Sequence, residues 1–231
     1  MIPITLDYVL VLIGTFLLSL VLTPLVRFLS FRIGAVDNPN ARRINKVPMP
    51  SAGGLAIVVS FTVASLFLMP RILHTPIWGL SYFDYIAPVV LGGLIVSFVG
   101  LLDDIFELSA KMKLMGIILA AVVIWYFTDF QFDSFKIPFG GPMIHFNGFV
   151  TFCLTILWIV AITNAVNLID GLDGLVGGVS IISLTTMGLI SYFFLYDTDI
   201  FLTLTIFVLI VSIAGFFPYN YHPAIIYLGD T

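Results

Sequence analysis

Long apolar runs, separated by short polar stretches, recur along the whole chain. Each run holds roughly 17 to 25 residues, the length that a helix rising about 1.5 Å per residue needs to cross a bilayer. The pattern therefore predicts an all-α polytopic membrane protein with about seven transmembrane helices. The predicted spans are Tyr8–Leu29, Gly53–Met69, Ile86–Leu102, Met112–Phe127, Val150–Val166, Leu175–Leu195 and Ile200–Pro218.

The connection after the fourth predicted span has a pattern of its own. Two short, partly alternating runs, Ser134–Phe139 and Pro142–Phe146, are joined by a Gly-Gly dipeptide. Such a dipeptide suits a tight hairpin turn, although the two prolines in these runs lack the N–H that a strand ladder needs. The sequence predicts a small β-hairpin on the extracytoplasmic side.

The composition agrees with a chain surrounded by lipid. Of the 231 residues, 60% are hydrophobic and only 10% are charged. Soluble domains carry roughly a quarter charged residues, so this chain has too few to cover a water-facing surface. We therefore expect the lipid bilayer, and no nucleic acid, among its partners.

The nine Lys and Arg residues predict the orientation of the chain in the membrane. If the N-terminus lies outside, the inner connections carry seven of them and the outer connections two. Basic residues concentrate on the cytoplasmic side of membrane proteins, so an outside N-terminus is predicted. The inner residues are Arg27, Arg32, Arg42, Arg43, Lys46, Lys111 and Lys113, and the outer ones are Arg71 and Lys136.

Adjacent acids lie at the predicted inner end of the third span. Asp103 and Asp104 are followed by Glu107, with Lys111 and Lys113 close behind. Neighbouring carboxylates repel each other, which suits either metal binding or proton abstraction. The alternative is an ordinary acidic helix end with lysines that extend toward water.

A second polar cluster has Asn164, Asn167, Asp170 and Asp173 at intervals of three residues. If this stretch is helical, the spacing keeps neighbouring side chains close to one face. Polar groups in so apolar a setting each need a partner. The pattern indicates a functional site, and a hydrogen-bond network between helices is the alternative.

A third cluster lies at the end of the chain and contains Asn220, His222 and Asp230. Asp230 falls on the same predicted side as the other acids, as an oxygen ligand of Mg²⁺ would. The first inner loop adds cations, including Lys46, that suit a diphosphate or an anionic lipid headgroup. The alternative is that these cations only set the membrane orientation.

In their order along the chain, these motifs resemble the polyprenyl-phosphate N-acetylhexosamine-1-phosphate transferase family. The resemblance covers about Leu25 to Thr231 and rests on four features. They are the basic loop ending in Gly-Gly, the Asp-Asp pair, the Asn-x-x-Asn-x-x-Asp-Gly-x-Asp-Gly-Leu run and the Asn-x-x-Pro-Ala…Gly-Asp ending.

The resemblance implies one membrane transferase domain over residues 1–231, in the bacterial cytoplasmic (inner) membrane with its active site facing the cytoplasm. The implied reaction moves a sugar 1-phosphate from a UDP-sugar to a polyprenyl phosphate and releases UMP. Mg²⁺ is the implied cofactor, with Mn²⁺ as the alternative, and a homodimer is compatible with the family.

The resemblance also assigns roles to residues of this chain. The paired acids match Asp103 and Asp104, one of which would deprotonate or orient the lipid phosphate. The implied catalytic residues are Asp103, Asp104, Asp170 and Asp173; the implied substrate-binding residues are Lys46, Lys113, Asn167 and Asn220; and the implied metal ligand is Asp230.

Two phrases bear on the substrate. The Arg-Arg-x-x-x-x-Pro-x-Pro…Gly-Gly loop and Leu-Ser-Ala-Lys-x-Lys are more similar to the branch that uses UDP-N-acetylglucosamine and begins teichoic-acid or other surface-glycan assembly. The rival is the phospho-N-acetylmuramoyl-pentapeptide transferase branch of peptidoglycan synthesis. The CDP-alcohol phosphotransferases are less similar, because they expect Ala-Arg after the first Asp-Gly, where this chain has Leu-Asp. A transporter would place its acids near the middle of spans.

The sequence departs from the family pattern in two places. Glu107 stands where many members have a third Asp, which keeps the charge on a longer arm. Family members are also expected to continue after Gly-Asp with further helices and a His-rich cytoplasmic loop. The sequence ends at Thr231, so a truncated or partial chain is expected, and an inactive fragment is an alternative.

Overall fold

Helices make up most of the structure, a computed structural model that describes residues 6–39, 46–73, 81–128, 130–194 and 200–231. They are α1 (Leu6–Ile33), α2 (Gly54–Val63), α3 (Met69–Ile72), α4 (Tyr82–Phe106), α5 (Ala110–Phe127), α6 (Gly148–Ile169), α7 (Leu175–Phe194) and α8 (Ile200–Asn220).

Within these described residues, seven helical segments are long and apolar enough to cross a membrane, because α2 and α3 form one segment, Gly54–Ile72. The predicted seven-span architecture is confirmed, and the chain is a multi-pass membrane protein. Most observed helices extend a few residues beyond the predicted apolar runs.

The second span contains a π-helical turn, Ala64–Leu68, between α2 and α3. The cause is Pro70, near the start of α3. Proline has no N–H to donate to the carbonyl four residues earlier, and its ring crowds that carbonyl. A wider turn accommodates this local defect while the segment stays helical.

A tight connection joins α4 and α5 at the end of the bundle that holds the acids. Glu107 ends α4 in the left-handed conformation, with φ of 50°. Ser109 then caps α5, and its hydroxyl accepts a hydrogen bond from the N–H of Met112 at 3.4 Å. The two helices consequently run antiparallel and pack against each other.

Helix α8 lies at the centre of the bundle, where it contacts α1, α2 and α7. It has 56% of its most apolar stretch buried, against 28% or less in the other six spans. Small residues permit the close approach, because a Cβ on Gly215 would lie 2.5 Å from the carbonyl oxygen of Phe16 in α1. The Ser19 hydroxyl donates to the Ser212 carbonyl at 2.6 Å across the same contact.

Two small antiparallel ribbons complete the described fold. The predicted hairpin is confirmed: β3 (Ser134–Lys136) pairs with β4 (Met143–His145). The sequence pattern did not predict the other ribbon, in which β1 (Val36–Asp37) pairs with β2 (Met49–Pro50). It follows α1 and precedes α2, so it lies at the opposite end of the bundle from the hairpin.

Candidate functional site

A polar cavity of about 820 Å³ opens at the end of the bundle where α1, α4, α6 and α8 finish and α2, α5 and α7 begin. Eight of the nine site residues predicted from the sequence line it. They are Asp103, Asp104, Lys113, Asn167, Asp170, Asp173, Asn220 and Asp230. The ninth, Lys46, is exposed and is not among the lining residues.

Lys113 joins two of the carboxylates. Its ammonium group lies 2.5 Å from an oxygen of Asp103 and 2.7 Å from an oxygen of Asp230. Asp103 is the last buried residue of α4, and Lys113 lies in the first turn of α5. The tight α4–α5 connection therefore supplies both the paired acids and the cation that partly neutralises them.

Asp104 has an unused oxygen inside the site. Its Oδ1 accepts a hydrogen bond from the backbone N–H of Asp230 at 3.2 Å. Its Oδ2 is buried and has no hydrogen-bond partner within the part of the chain that the structure describes. A buried carboxylate oxygen without a partner is costly, so this atom is available for a ligand.

The segment after α8 carries Asp230 into the site and is held there by backbone hydrogen bonds to the stretch between β2 and α2. The N–H of Tyr227 donates to the carbonyl of Pro50 at 2.9 Å, and the N–H groups of Gly53 and Gly54 donate back to residues 227 and 228 at 3.0 and 2.8 Å. The chain then passes so close to α4 that a Cβ on Gly100 would overlap the carbonyl of Asp230. Glycine at this position permits the approach.

Several side chains of the site form hydrogen bonds with Asp230. It accepts hydrogen bonds from Lys113 and from the side-chain amide of Asn167. Burial alone would raise the pKa of its carboxyl, but a hydrogen bond with Asp103 and the ammonium of Lys113 hold that pKa below its usual range. Asp230 therefore stays ionised in this setting.

The four polar residues spaced by three do not share one helical face. Helix α6 ends at Ile169, so Asp170 and Asp173 belong to the turn before α7. Asn164 donates to the carbonyl of Val160 within α6 and does not line the cavity. Asn164 and Asn167 both lie within α6, but only Asn167, together with Asp170 and Asp173 of the turn, lines the cavity.

The negative charge of the Asp170 carboxylate is not offset by its surroundings. Burial, together with the nearby carboxylate of Asp230, raises its pKa to about 6. An added cation would relieve this repulsion.

Asn220 lines the cavity, but protein groups occupy both ends of its side chain. Its Oδ1 accepts from the N–H of Gly174 at 3.2 Å, and its Nδ2 donates to the carbonyl of Ile226 at 3.1 Å. Gly174 has φ of +73°, a conformation that favours glycine. Asn220 therefore ties the α6–α7 turn to the segment after α8.

Replacing Asn220 with alanine is expected to destabilise the protein by about 2–4 kcal/mol, because two buried backbone groups lose their partners. The measurement is the thermal unfolding midpoint of the purified protein in detergent. Asn164→Ala is the matched control, since that exposed amide only bonds within its own helix. Equal midpoints for the two variants would contradict this role of Asn220.

Several lining residues were not assigned a role from the sequence: Asp37, Ser51, Glu107, His222 and Tyr227. Glu107 and His222 belong to motifs noted in the sequence, so a signal existed for them. The β1–β2 ribbon brings Asp37 and Ser51 to the cavity, and the segment after α8 brings Tyr227. No local pattern marks those pairings.

A divalent cation fits the donor set of this cavity. One ammonium, that of Lys113, stands among four carboxylates, those of Asp103, Asp104, Asp170 and Asp230. Over the described residues, no group of three His, Cys, Asp or Glu side chains is arranged as a complete metal site. Mg²⁺ commonly takes one or two carboxylates and completes its shell with water and substrate phosphates, so a partial oxygen site suits it.

Comparison with known proteins gives a consistent result. Residues 86–231 match the family described as "Glycosyl transferase family 4". The chain is 36% identical over 212 residues to a probable undecaprenyl-phosphate N-acetylglucosaminyl 1-phosphate transferase of Bacillus subtilis, covering 92% of this chain and 55% of that protein.

Two further relatives extend the comparison. A decaprenyl-phosphate N-acetylglucosaminephosphotransferase of Mycolicibacterium smegmatis is 32% identical over 89% of this chain and 52% of that protein. A phospho-N-acetylmuramoyl-pentapeptide-transferase of Oceanobacillus iheyensis is 30% identical over 94% of this chain and 67% of that protein. The chain spans about half the length of the first two relatives.

Proposed function

Because this chain belongs to glycosyl transferase family 4, we propose that it transfers N-acetylglucosamine 1-phosphate from UDP-N-acetylglucosamine to undecaprenyl phosphate and releases UMP. One observation carries the proposal: four carboxylates and the ammonium of Lys113 converge at one end of a membrane-spanning bundle. There, a lipid phosphate held at the bilayer surface can meet a sugar nucleotide that arrives from water. The product would begin the assembly of teichoic acid or another surface glycan.

The proposed reaction is a phosphoryl-group displacement. An oxygen of the lipid phosphate attacks the phosphorus that bears the sugar, and the bond from that phosphorus to the bridging oxygen breaks. UMP leaves with that oxygen and its electron pair. Such transfers depend mainly on positioning and on stabilising the charge on the phosphate oxygens.

Individual residues of the chain would have distinct roles in this reaction. Asp104, through its unused Oδ2, would orient the lipid phosphate or accept its proton. Lys113 would bind a phosphate oxygen through its third N–H, since two acids engage the ammonium already. Asp170 and Asp230 would hold Mg²⁺, with Mn²⁺ as a substitute, and the bound ion would neutralise diphosphate charge.

The distribution of basic residues supports a cytoplasmic position for the site in the bacterial inner membrane. Arg27, Arg32 and Lys111 lie at the cavity end of the bundle, whereas Arg71 and Lys136 lie at the hairpin end. Cytoplasmic ends of membrane proteins carry the excess of Lys and Arg. UDP-sugars are made in the cytoplasm, so the proposed orientation gives the site access to its substrate.

The direct test is transfer of radiolabelled sugar phosphate into lipid by membranes that contain the expressed chain. With UDP-N-acetylglucosamine, undecaprenyl phosphate and Mg²⁺ present, we expect label in the lipid fraction and equimolar UMP. Chelation of the metal should stop both. Transfer from UDP-N-acetylmuramoyl-pentapeptide in place of UDP-N-acetylglucosamine would favour the peptidoglycan reaction, and no transfer from either donor would contradict the proposal.

Metal affinity is expected to fall as the pH falls through 6. Asp170 has a pKa raised to about 6, so protons compete with the metal below that pH, whereas above it the carboxylate is ionised and free to bind. For a single competing proton, binding should be about tenfold weaker at pH 5 than at pH 7. Titration with Mn²⁺, followed by electron paramagnetic resonance, measures this.

Asp170→Asn is the control for the pH effect, because it removes the titrating group and should flatten the change around pH 6. A wild-type affinity that stays constant from pH 7 to pH 5 would exclude Asp170 from the metal shell.

A further inference from the structure

A histidine–carboxylate pair lies on the cavity wall formed by the α6–α7 turn and the segment after α8. The Nδ1 atom of His222 lies 2.9 Å from Oδ2 of Asp173. The same oxygen accepts a hydrogen bond from the N–H of Ala224 at 3.1 Å. Because an ionised carboxylate only accepts hydrogen bonds, this contact places a proton on Nδ1 and directs Nε2 away from Asp173.

Nε2 of His222 is free to meet a ligand. The side chain of His222 is 80% exposed, and within the described ranges Nε2 has no hydrogen-bond partner. Asp173 is only 24% exposed and is held from two sides. The pair therefore presents one ring nitrogen, in a fixed direction, to whatever occupies the cavity.

Other side-chain nitrogens on the described lining already donate to protein oxygens. Lys113 bridges Asp103 and Asp230 and keeps one N–H, Asn167 donates to Asp230, and Asn220 donates to the carbonyl of Ile226. The lining is otherwise rich in carboxylates, which repel a phosphate-bearing ligand. With the ring proton on Nδ1, Nε2 is an uncharged hydrogen-bond acceptor, which suits a ribose hydroxyl or a base N–H and, unlike a carboxylate, does not repel the phosphates of a nucleotide.

The position of His222 indicates which substrate it would meet. The residue follows the last turn of α8, outside the membrane-spanning segment, and its side chain faces water. A lipid phosphate reaches the site from the bilayer, whereas a sugar nucleotide reaches it from the aqueous side. We infer that His222 is a substrate-binding residue whose Nε2 accepts a hydrogen bond from the uridine part of the UDP moiety, and that Asp173 is the residue that positions it.

This inference rests on the proposed sugar-nucleotide reaction, and two substitutions test it through the geometry of the ring. In His222→Asn the amide nitrogen stands in for Nδ1, so the bond to Asp173 is kept and Nε2 is lost. In His222→Gln the side-chain amide reaches the place of Nε2, where its oxygen can accept the same hydrogen bond, and the bond to Asp173 is lost. A residue that only fastens the loop tolerates asparagine, whereas one that contacts substrate tolerates glutamine.

The first readout is UDP binding to the purified chain in detergent, measured by isothermal titration calorimetry. We expect His222→Asn to weaken UDP binding by about tenfold or more, and His222→Gln to stay within about threefold of wild type. His145→Asn, on the hairpin at the other end of the bundle, should bind UDP like wild type. In the transfer assay, His222→Asn should raise the KM for UDP-N-acetylglucosamine and leave the KM for undecaprenyl phosphate unchanged.

The outcomes separate this inference from the proposed function. If wild type binds UDP and transfers label but His222→Asn matches it, His222 only fastens the loop and the inference is overturned. Equal weakening by both substitutions, or a raised KM for the lipid alone, overturns it too. A wild-type chain that binds no UDP contradicts the proposed function and this inference together.

Discussion

Replacing Asp104 with asparagine is expected to slow sugar-phosphate transfer by about 10²–10⁴-fold, the usual contribution of a positioned acid or base. The substitution keeps the size of the side chain and leaves Oδ1 able to accept the N–H of Asp230. It removes the charge on Oδ2, the buried oxygen that has no partner over the described residues. The measurement is kcat for transfer in matched membrane preparations.

Stability distinguishes a functional acid from a structural one at this position. An unpaired buried carboxylate costs free energy, so Asp104→Asn should keep or raise the thermal unfolding midpoint while activity falls. Asp133→Asn is the matched control, because that exposed acid lies beside the hairpin and should leave transfer unchanged. An Asp104→Asn protein that transfers at more than about a tenth of the wild-type rate would remove Asp104 from the site.

Replacing Gly100 with alanine should have a large effect although it changes no polar group. A Cβ at this position would overlap the backbone carbonyl of Asp230, which cannot rotate aside as a flexible side chain can. Overpacking of this kind costs about 1–3 kcal/mol and forces the backbone to shift. We expect a lower unfolding midpoint and near-complete loss of transfer, since Asp230 would leave Lys113 and Asn167.

Gly93→Ala provides the comparison within the same helix. A Cβ there meets no atom within 4 Å, so alanine should raise helix stability by about 0.5–1 kcal/mol and leave transfer intact. If Gly100→Ala behaved like Gly93→Ala in both measurements, the segment after α8 would not pass this close to α4. Metal binding is a third readout, because a displaced Asp230 should weaken Mn²⁺ affinity.

The prediction that the acids share one end of the bundle depended on counting spans, and the structure places them together there. Asp103 follows the third apolar run and Asp170 follows the fifth, so an odd number of crossings places both acids at one end. Asp230 follows the seventh run and joins them for the same reason. This inference uses only the order of spans and needs no knowledge of how the helices pack.

The roles of individual residues were harder to predict from the sequence. Asn220 and Asp173 were assigned to substrate binding and catalysis, and in the structure each bonds to protein groups that hold the α6–α7 turn and the segment after α8. The sequence placed His222 only in the polar cluster at the end of the chain. In the structure Asp173 orients its ring, which makes His222 a candidate substrate-binding residue. Such roles depend on partners about fifty residues apart in sequence.

The sequence by itself determined the seven spans, the hairpin and the shared end of the acids, because each follows from local composition and from alternation across a bilayer. Only the tertiary structure decided which oxygen of Asp104 stays unused, how Lys113 bridges two acids, and how the segment after α8 forms backbone hydrogen bonds beside Pro50. Those features arise where helix ends meet, and the distances there are set by side-chain packing between distant residues. A pattern along the sequence carries no information about such packing.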